Sequence, residues 1–379
     1  MSFPVTDIQM VDLRNQYLQI KPAIDAAIQG CIDTTAFIKG PQVSSFEQQL
    51  ADYLNVNHVV ACANGTDALQ IAMMALGLKP GDEVIVPAFT YVATAEVVAL
   101  LGLTPVLVDV DPDTFMVSDK AIEEALSPRT KLVVPVHLFG QCADMEGIVT
   151  LCKAHQVSIV EDSAQAIGAK YTFSTGDTAV AGAMGDLGTT SFFPSKNLGC
   201  FGDGGAVYTN HSDLAFNVRM IGNHGQARKY EHETLGINSR LDSIQAAILS
   251  EKLKYLTQYT QARQQVADAY DQAFCTIESI DIPYRAAHST HVFHQYTLKV
   301  PASKRDGLMA YLKQKKIPSM IYYPVPLNAQ KAYQGVGRVV GDLPVTHDLC
   351  KRVLSLPMHT ELTSSQVEYI AETVATYFS

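Results

Sequence analysis

Short runs rich in valine and isoleucine alternate with segments of helical length between residues 83 and 160, and this alternation strongly limits the possible folds. The strand-like runs cover residues 83–87, 106–110, 131–136 and 158–160. The helical segments between them cover residues 93–101, 119–126 and 145–155. Apolar strands separated by helices are typical of βαβ units, in which helices cover both faces of a parallel sheet. The sequence therefore predicts an α/β fold with a mainly parallel sheet.

The segments before this alternation are less regular. Residues 1–40 are loosely patterned and end in a Gly-Pro loop. Helices are predicted over 44–54 and over 68–76, because each begins with polar residues of the capping type.

The C-terminal third has a different pattern. Residues 242–274 contain few helix breakers and predict one long helix that bridges two domains. The segments that follow predict a smaller α+β unit, with a strand-like run at 292–300 and helices at 304–315, 344–353 and 364–377. We expect a large domain at residues 1–244 and a smaller C-terminal domain, including the bridging helix, at residues 245–379.

Charge and length limit the classes of function. The chain has 379 residues, of which 28 are lysine or arginine and 38 are aspartate or glutamate, so its net charge is −10. No basic stripe offsets this excess of acid, which argues against a protein that binds the nucleic-acid backbone. An anionic small molecule would need local cations instead.

The cysteines and the apolar stretches indicate a cellular location. Seven cysteines are widely spaced and include no C-x-x-C pair, so reduced thiols fit better than a disulfide framework or a zinc site. The N-terminal sequence has no basic segment followed by an apolar one, as a secretory signal would require. The apolar stretch 97–108 is too short to span a bilayer. We expect a cytoplasmic protein with no membrane segment.

A second strand-like unit, residues 187–208, contains the candidate nucleophile. Its sequence, LGTTSFFPSKNLGCFGDGGAVY, predicts a strand, an elbow at Lys196, a glycine-rich turn and a second strand. A lysine held rigidly and partly desolvated at an elbow has a lowered pKa and can form a Schiff base. A lysine at a random position is usually a solvated surface residue. The neighbouring FFP and the glycines make this setting unusual.

Two other segments contain groups that could act together with the lysine at the elbow. Gly65 and Thr66 begin a predicted helix, whose free N–H groups favour an anion such as phosphate, although Asn64 or Thr66 acting as a simple cap explains them equally well alone. Asp162 ends a buried strand at the edge where α/β sheets bind ligands, and Gln165 follows three residues later. Asp162 on its own could also be a helix cap. A phosphorylated pyridine aldehyde needs these three features together, namely an anion cradle, an acid for the ring nitrogen and an amine.

Six motifs in order resemble the DegT/DnrJ/StrS family of pyridoxal-phosphate sugar aminotransferases. They are CANGTDALQ, PAFTYVATAE, VEDSAQAIGA, SFFPSKNLGCFGDGGAVYTN, NHGQARKY and GINSRLDSIQAAIL. The chain is most similar to the bacterial branch that acts on UDP-2-acetamido-2-deoxy-3-oxo-D-glucuronate, in the pathway to 2,3-diaminouronic acid sugars of surface polysaccharides such as O-antigen. The resemblance implies fold type I of the pyridoxal-phosphate enzymes, with a large domain and a smaller α+β domain.

The resemblance also implies roles for the residues that contact the cofactor ring. Lys196 would carry pyridoxal 5′-phosphate, and Asp162 would pair with the ring nitrogen. Gln165 would contact the ring hydroxyl, while Tyr91 of FTYVAT would stack on the ring face.

The cofactor phosphate would be bound by residues of two subunits. The resemblance implies Gly65, Thr66 and Ser191 from one chain, and Asn238 of INSRLD from its neighbour. A homodimer with shared active sites is therefore expected.

The chain departs from the family pattern at one position near the substrate. The family often has histidine before the tyrosine of an HYP-x-P segment, whereas Tyr322 precedes Tyr323 here. Tyr322 keeps a hydrogen-bonding group but carries no charge at neutral pH, so any role of that histidine is in doubt. Arg240 is a candidate for a substrate carboxylate or phosphate, and a structural ion pair explains it equally well.

The implied reaction is a transamination in two halves. L-Glutamate would give its amino group to the cofactor, leaving 2-oxoglutarate and pyridoxamine 5′-phosphate, and the group would then pass to the sugar ketone. Lys196 would move the protons in both halves as base and acid. Other 3-keto or 4-keto UDP or dTDP sugars are alternative substrates.

Other classes of protein and site fit less well. A nicotinamide-dependent oxidoreductase should show G-x-G-x-x-G in its first βα unit, and none is present. A regulator that binds the cofactor without catalysis is a third class. His288, His291 and His294 would alternate faces on an extended strand, so we expect no metal site there.

Overall fold

The computed structural model describes residues 8–379 of the chain. Residues 1–7, which contain part of the N-terminal sequence in which we expect no secretory signal, lie outside the described residues. Among the described residues, no helix combines the length and the hydropathy that crossing a membrane would require.

Within residues 8–379 the chain forms twelve α-helices. They are α1 (Leu13–Thr34), α2 (Pro41–Leu54), α3 (Gly65–Ala75), α4 (Ala93–Leu100), α5 (Asp119–Ala125), α6 (Met145–His155), α7 (Ser212–Ile221), α8 (Ser243–Leu253), α9 (Leu256–Phe274), α10 (Ala302–Gln314), α11 (Pro344–Arg352) and α12 (Ser364–Phe378). Helix α1 was not expected from the loose pattern of residues 1–40. It is kinked at Ile20, whose φ is −121°, and contains Pro22, so its apolar positions do not follow one regular period.

The prediction of one bridging helix over 242–274 is wrong. The chain leaves the helical conformation at Tyr255, whose φ is −106°, and this residue separates α8 from α9. The two helices pack against different partners, because α8 lies on α1 and α2 whereas α9 lies on α12. Their separate packing explains a break that no glycine or proline marks.

Fourteen strands form within the same residues. They are β1 (His58–Cys62), β2 (Glu83–Pro87), β3 (Thr104–Val108), β4 (Thr130–Val133), β5 (Ser158–Asp162), β6 (Lys170–Thr172), β7 (Thr178–Val180), β8 (Leu187–Ser191), β9 (Gly205–Thr209), β10 (Gln226–Arg228), β11 (Glu231–His232), β12 (Tyr296–Lys299), β13 (Arg338–Val339) and β14 (Val353–Leu356). Eight of them form one sheet, in the order β1, β9, β8, β5, β4, β2, β3, β13.

The large sheet is mainly parallel, as the sequence predicts. Strand β9 runs antiparallel to β1 and β8, and the other neighbouring pairs are parallel. Apolar clusters on its two faces bury most of the strand residues, with α5 and α6 in one cluster and α3, α4 and α7 in the other. The α/β fold with a mixed, mainly parallel sheet is confirmed.

The C-terminal part has its own apolar core and also joins the large sheet. Strands β12 and β14 pair antiparallel and pack with α9, α10 and α12. Strand β13 pairs with β3, and Arg338 of this strand forms an ion pair with the buried Glu83 at a distance of 3.0 Å. The domain boundary between residues 244 and 245 stays a prediction.

Parallel strands bring their carboxyl ends to one edge of the sheet, where ligand sites of α/β proteins form. Strand β5 ends at Asp162 and pairs with β8, so that Asp162 lies beside Thr189. The chain after β8 therefore leaves the sheet close to the Asp162 carboxylate.

Candidate active site

Lys196 lies in the turn that follows β8. Its backbone N–H donates to the carbonyl of Phe193 at 2.8 Å, which closes the turn immediately after the strand. The residue is half-buried, but protein surrounds its ammonium group. This desolvation lowers the pKa of Lys196 to about 8, although the nearby Asp162 carboxylate acts in the opposite direction. Part of the amine is therefore unprotonated, and nucleophilic, at neutral to mildly alkaline pH.

Asp162 lies at the C-terminal end of β5, with 7% of its surface exposed. Its two carboxylate oxygens accept hydrogen bonds from different groups. Oδ2 accepts from the hydroxyl of Thr94 at 3.0 Å, and Oδ1 accepts from the backbone N–H of Ala164 at 3.1 Å. The carboxylate is therefore held in one orientation by α4 on one side and by its own loop on the other.

Gly65 and Ser191 are brought together where α3 meets the end of β8. A Cβ atom on Gly65 would lie 2.6 Å from Cβ of Ser191, so only glycine allows this approach. The first N–H groups of α3, including those of Gly65 and Thr66, have no acceptor within the helix. Together with the Ser191 hydroxyl, they form a cradle of hydrogen-bond donors.

The N-terminus of α3 is fixed in place by its cap. The Asn64 side chain accepts a hydrogen bond from the backbone N–H of Asp67 at 2.8 Å. Gly205 of β9 lies directly behind Asn64, where a Cβ atom would come within 2.4 Å of the Asn64 backbone. The Asn64 cap is therefore present, and the binding of an anion by Gly65 and Thr66 stays a prediction.

Both ends of the Gln165 side-chain amide form hydrogen bonds. Oε1 accepts from the backbone N–H of Phe139 at 2.8 Å, and Nε2 donates to the hydroxyl of Tyr323 at 3.1 Å. Tyr91 is 58% exposed, and its ring centroid lies 6.3 Å from that of Tyr323. An exposed aromatic ring therefore lies beside Tyr323, the hydrogen-bond partner of Gln165.

Tyr323 was missed by the sequence interpretation, which considered Tyr322. The ring of Tyr323 packs between Phe89 and Tyr91, and burial raises the pKa of its hydroxyl. Tyr322 is half-buried and packs edge-on against Tyr323 at 6.0 Å. The sequence does contain a signal for this position, because Tyr323 is the tyrosine of the HYP-x-P segment.

Two more site neighbours have no distinctive sequence signal. Asn197 donates from Nδ2 to the carbonyl of Val292 at 2.9 Å, which ties the lysine turn to the loop before β12. His294 in that loop is buried, and burial together with the charges of Lys196 and Arg263 lowers its pKa well below 6.5. Within residues 8–379, Oδ1 of Asn197 and Nδ1 of His294 have no hydrogen-bond partner.

The three histidines considered for a metal do not lie on one strand, because β12 begins only at Tyr296. His291 stacks on Phe293 at 3.9 Å between ring centroids. In the part of the chain that the structure describes, no three His, Cys, Asp or Glu side chains are placed to hold a metal ion.

Within residues 8–379, Asn238 and Arg240 form no hydrogen bond with Lys196, Asp162 or Gln165, whereas Ser239 between them accepts from the backbone N–H of Ala63 at 3.0 Å, just before the α3 cap. Asn238 is exposed and forms an isolated bridge with Asn223. Arg240 lines a separate cavity of about 220 Å³ together with Lys39 and Arg219. Arg219 is paired with Glu47, whereas neither Lys39 nor Arg240 forms an ion pair with any described residue. Three cations and one carboxylate, that of Glu47, line the cavity, so it has an excess of positive charge. Burial and the charges of the two arginines lower the pKa of Lys39.

The sequence matches a known family over almost its whole length. The model of the DegT/DnrJ/EryC1/StrS aminotransferase family matches residues 18–375. The UDP-2-acetamido-2-deoxy-3-oxo-D-glucuronate aminotransferase of Pseudomonas aeruginosa is 44% identical over 96% of this chain and 98% of its own length. A UDP-N-acetyl-3-dehydro-alpha-D-glucosamine 3-aminotransferase of Acidithiobacillus ferrooxidans is 42% identical over 97% of each chain.

Solved structures agree with the fold. A DegT/DnrJ/EryC1/StrS aminotransferase from Brucella abortus superposes with a TM-score of 0.94 at 41% identity, covering 98% of this chain and 100% of that one. A Bacillus subtilis protein with the bound cofactor pyridoxamine phosphate has a TM-score of 0.89 at 30% identity, covering 100% of this chain and 86% of that one.

Proposed function

The chain belongs to the DegT/DnrJ/EryC1/StrS aminotransferase family, and on that premise we propose that it aminates C3 of a UDP-linked 3-oxo sugar. The substrate that we propose first is UDP-2-acetamido-2-deoxy-3-oxo-D-glucuronate, with L-glutamate as the amino donor. The observation that carries the proposal is the enclosed amine of Lys196, whose pKa is about 8, next to the oriented Asp162 carboxylate.

Members of this family use pyridoxal 5′-phosphate, and the described residues fit it. The donor cradle at Gly65 suits a phosphate, and the unpartnered polar atoms of Asn197 and His294 lie beside the lysine turn. When bound, the cofactor supplies an aldehyde that takes up an amino group and a pyridinium ring that withdraws electrons. This cofactor distinguishes the chain from the nicotinamide-dependent oxidoreductases considered from the sequence.

Lys196 would hold the cofactor and move protons. Its Nζ atom would take a proton from the α-carbon of the amino donor in the first half of the reaction and deliver a proton to C3 of the sugar in the second. A base works best when its pKa lies near the working pH, and a pKa of about 8 meets that condition.

Three other residues would orient the cofactor ring. The Asp162 carboxylate would accept a hydrogen bond from the protonated ring nitrogen, which would keep the ring electron-poor. Nε2 of Gln165 has a second hydrogen that can reach the ring hydroxyl while the first remains on Tyr323. The exposed ring of Tyr91 would cover one face of the cofactor.

The phosphate would be held by Gly65 and Thr66 through their backbone N–H groups and by the Ser191 hydroxyl. Ser191 Oγ already accepts from the backbone N–H of Phe193 at 3.2 Å, so its own proton remains free to donate.

We further propose a homodimer in which Asn238 of a second copy completes this phosphate site. Asn238 is exposed, and it lies in the same region as a surface patch of Phe37, Ile38 and Phe201, each of which is more than 40% exposed. These residues adjoin the start of α8. The backbone N–H of Ser243 donates to the carbonyl of Phe37, and the side chain of Gln245 accepts from the backbone N–H of Phe201. An apolar patch of this kind favours burial against another chain.

A subunit-mixing experiment tests the shared site. Lys196→Ala and Asn238→Ala, each with little activity alone, should recover activity when they are mixed and allowed to exchange subunits. Half of the sites in each mixed dimer then combine an intact Lys196 with an intact Asn238. A mixture that exchanges subunits but stays inactive would show that each site is built from one chain.

In the proposed homodimer, the cavity at Lys39 and Arg240 would reach the site of the second copy together with Asn238, and its cations favour an anionic sugar. These two unpaired cations suit the C6 carboxylate of a uronate, which a neutral sugar lacks. Arg240→Gln should therefore lower kcat/KM for the uronate more than for UDP-2-acetamido-2-deoxy-3-oxo-D-glucose. The neutral sugar is the second candidate, because the Acidithiobacillus relative is named for it.

A product assay tests the reaction itself. The protein is incubated with 3-oxo and 4-oxo sugars linked to UDP or dTDP, together with glutamate, glutamine or aspartate. Mass spectrometry and NMR should identify a 3-amino UDP sugar and 2-oxoglutarate. Nitrogen at C4 of the product would refute amination at C3.

We place this reaction in the cytoplasm, as a step towards surface polysaccharides such as O-antigen. The seven cysteines between residues 8 and 379 are all unpaired, which suits a reducing compartment.

A further inference from the structure

Thr94 is a buried hydroxyl with one partner, and the proposed mechanism has not used it. It is the second residue of α4 and has 0% exposure. Its Oγ1 atom lies 3.0 Å from Oδ2 of Asp162, within hydrogen-bonding distance, and donates to it because an ionised carboxylate can only accept. The sequence separates the two residues by 68 positions, so only the fold brings them together.

The hydroxyl is one of two donors that the described residues supply to this carboxylate, and the other is the backbone N–H of Ala164. Mutation can remove the Thr94 hydroxyl but not the backbone N–H of Ala164, so the effect of Thr94 on the carboxylate can be tested. Hydrogen bonds to an ionised carboxylate stabilise the charged form and weaken its affinity for a proton.

The other groups around Asp162 are few. Lys196 is the cation that interacts with it, and the hydroxyls of Tyr208 and Tyr323 lie close enough to be influenced by its charge. These hydroxyls are hydrogen-bonded to Ser163 and to Gln165, respectively. His137, bonded to Glu161 behind the strand, reaches Asp162 only through its backbone N–H, which donates to the Asp162 carbonyl.

We propose that Thr94 is a positioning residue that keeps the Asp162 carboxylate turned towards the ring nitrogen of the cofactor. The inference rests on the proposed function, because it assumes that Asp162 pairs with that nitrogen. Without the hydroxyl, the carboxylate would be free to turn away from that nitrogen, which would then lose the partner that keeps it protonated. A bound ring without this proton would withdraw fewer electrons, so kcat would fall and the visible absorbance of the holoprotein would titrate at a higher pH.

Three substitutions separate this role from packing. Thr94→Val removes the hydroxyl and keeps the shape, whereas Thr94→Ser keeps the hydroxyl and removes a methyl group. Thr190→Val is the matched control, because Thr190 is a buried threonine whose Oγ1 has no partner among the described residues. If Thr94→Val does not fold, Thr94→Ala replaces it with the same expectation.

The readout is the pH titration of the visible absorbance of the holoprotein, together with kcat and KM for the amino donor. For Thr94→Val we expect the titration midpoint to rise by about one pH unit and kcat to fall about tenfold, with a smaller change in KM. Thr94→Ser and Thr190→Val should titrate as the unmodified protein does.

An unchanged midpoint in Thr94→Val would overturn the role of Thr94, and so would a midpoint in Thr94→Ser shifted as far as in Thr94→Val. If even the unmodified protein with added pyridoxal 5′-phosphate has no visible band, the proposed function fails and the role of Thr94 fails with it. A normal band with one common midpoint in all the proteins refutes Thr94 alone.

Discussion

The contact between Gly65 and Ser191 gives a prediction whose size follows from the structure. In Gly65→Ala the new methyl group would lie 2.6 Å from Cβ and 3.1 Å from Oγ of Ser191. Carbon atoms in contact are ordinarily about 3.5–4.0 Å apart, so α3 and β8 must separate by about 1 Å at this point. Gly65 has an ordinary backbone conformation, so the clash alone carries the effect.

The displacement acts directly on the proposed phosphate site. Inserting a methyl group into a packed contact costs about 1–3 kcal/mol. If this strain is released by moving the Ser191 hydroxyl and the first N–H groups of α3 out of position, the cofactor dissociation constant should rise roughly 5-fold to 150-fold. The fold should survive, since native domains have about 5–15 kcal/mol of stability.

The assay is a fluorescence or absorbance titration of cofactor-free protein with pyridoxal 5′-phosphate. Gly30→Ala is the matched control, because Gly30 lies in helix α1 and a Cβ atom there meets nothing within 4 Å. The control should bind the cofactor normally and be slightly more stable, by up to about 1 kcal/mol, since alanine favours helices over glycine. A folded Gly65→Ala protein that binds the cofactor as tightly as Gly30→Ala would refute the proposed cradle.

Two further predictions concern stability. Lys196→Met should stabilise the cofactor-free protein by roughly 3 kcal/mol at pH 7, because it removes a desolvated ammonium. The pKa of Lys196 is about 8 in the folded chain against 10.5 in the unfolded chain, so the stability gained by Lys196→Met should shrink as the pH rises from 8 to 10.5. Urea unfolding at pH 7 that gives the variant and the unmodified protein the same stability would contradict the reasoning. Glu83→Gln should destabilise the protein by roughly 3 kcal/mol, because it leaves Arg338 and Arg129 without their buried partner. Burial alone would raise the pKa of Glu83, but hydrogen bonds from these arginines and from Ser127 lower it, so its contribution is present above pH 4.5 and is lost as the pH falls through the folded pKa. In acid unfolding followed by circular dichroism, the protein with Glu83 should lose stability over this pH range, whereas Glu83→Gln should not.

The parts of the fold that the sequence predicted are those whose patterns arise from local packing. Strand β2 and helix α6 have the bounds that the sequence predicted, because each is an apolar segment between clear polar ends. The break at Tyr255 was not predictable in the same way. It exists because α8 and α9 pack on different partners, and a sequence pattern does not show which surfaces will meet.

The candidate site divides along the same line. Lys196, Asp162 and Gly65 stand in motifs with their own chemical signal, and the fold brings them to one edge of the sheet. Thr94 and Tyr323 act through partners far away in the chain, so only the tertiary structure reveals their contacts. Sequence reasoning identifies groups with chemistry, and it misses those that position them.

Borohydride reduction of the holoprotein tests the central claim most directly. Reduction fixes the cofactor to the nitrogen that holds it, and mass spectrometry of the digested protein locates the modified lysine. Lys252 provides an internal comparison, because it too is a buried lysine whose pKa burial lowers to about 8. We predict modification of Lys196 and none of Lys252. Modification at another lysine, or full turnover by Lys196→Ala, would contradict the account.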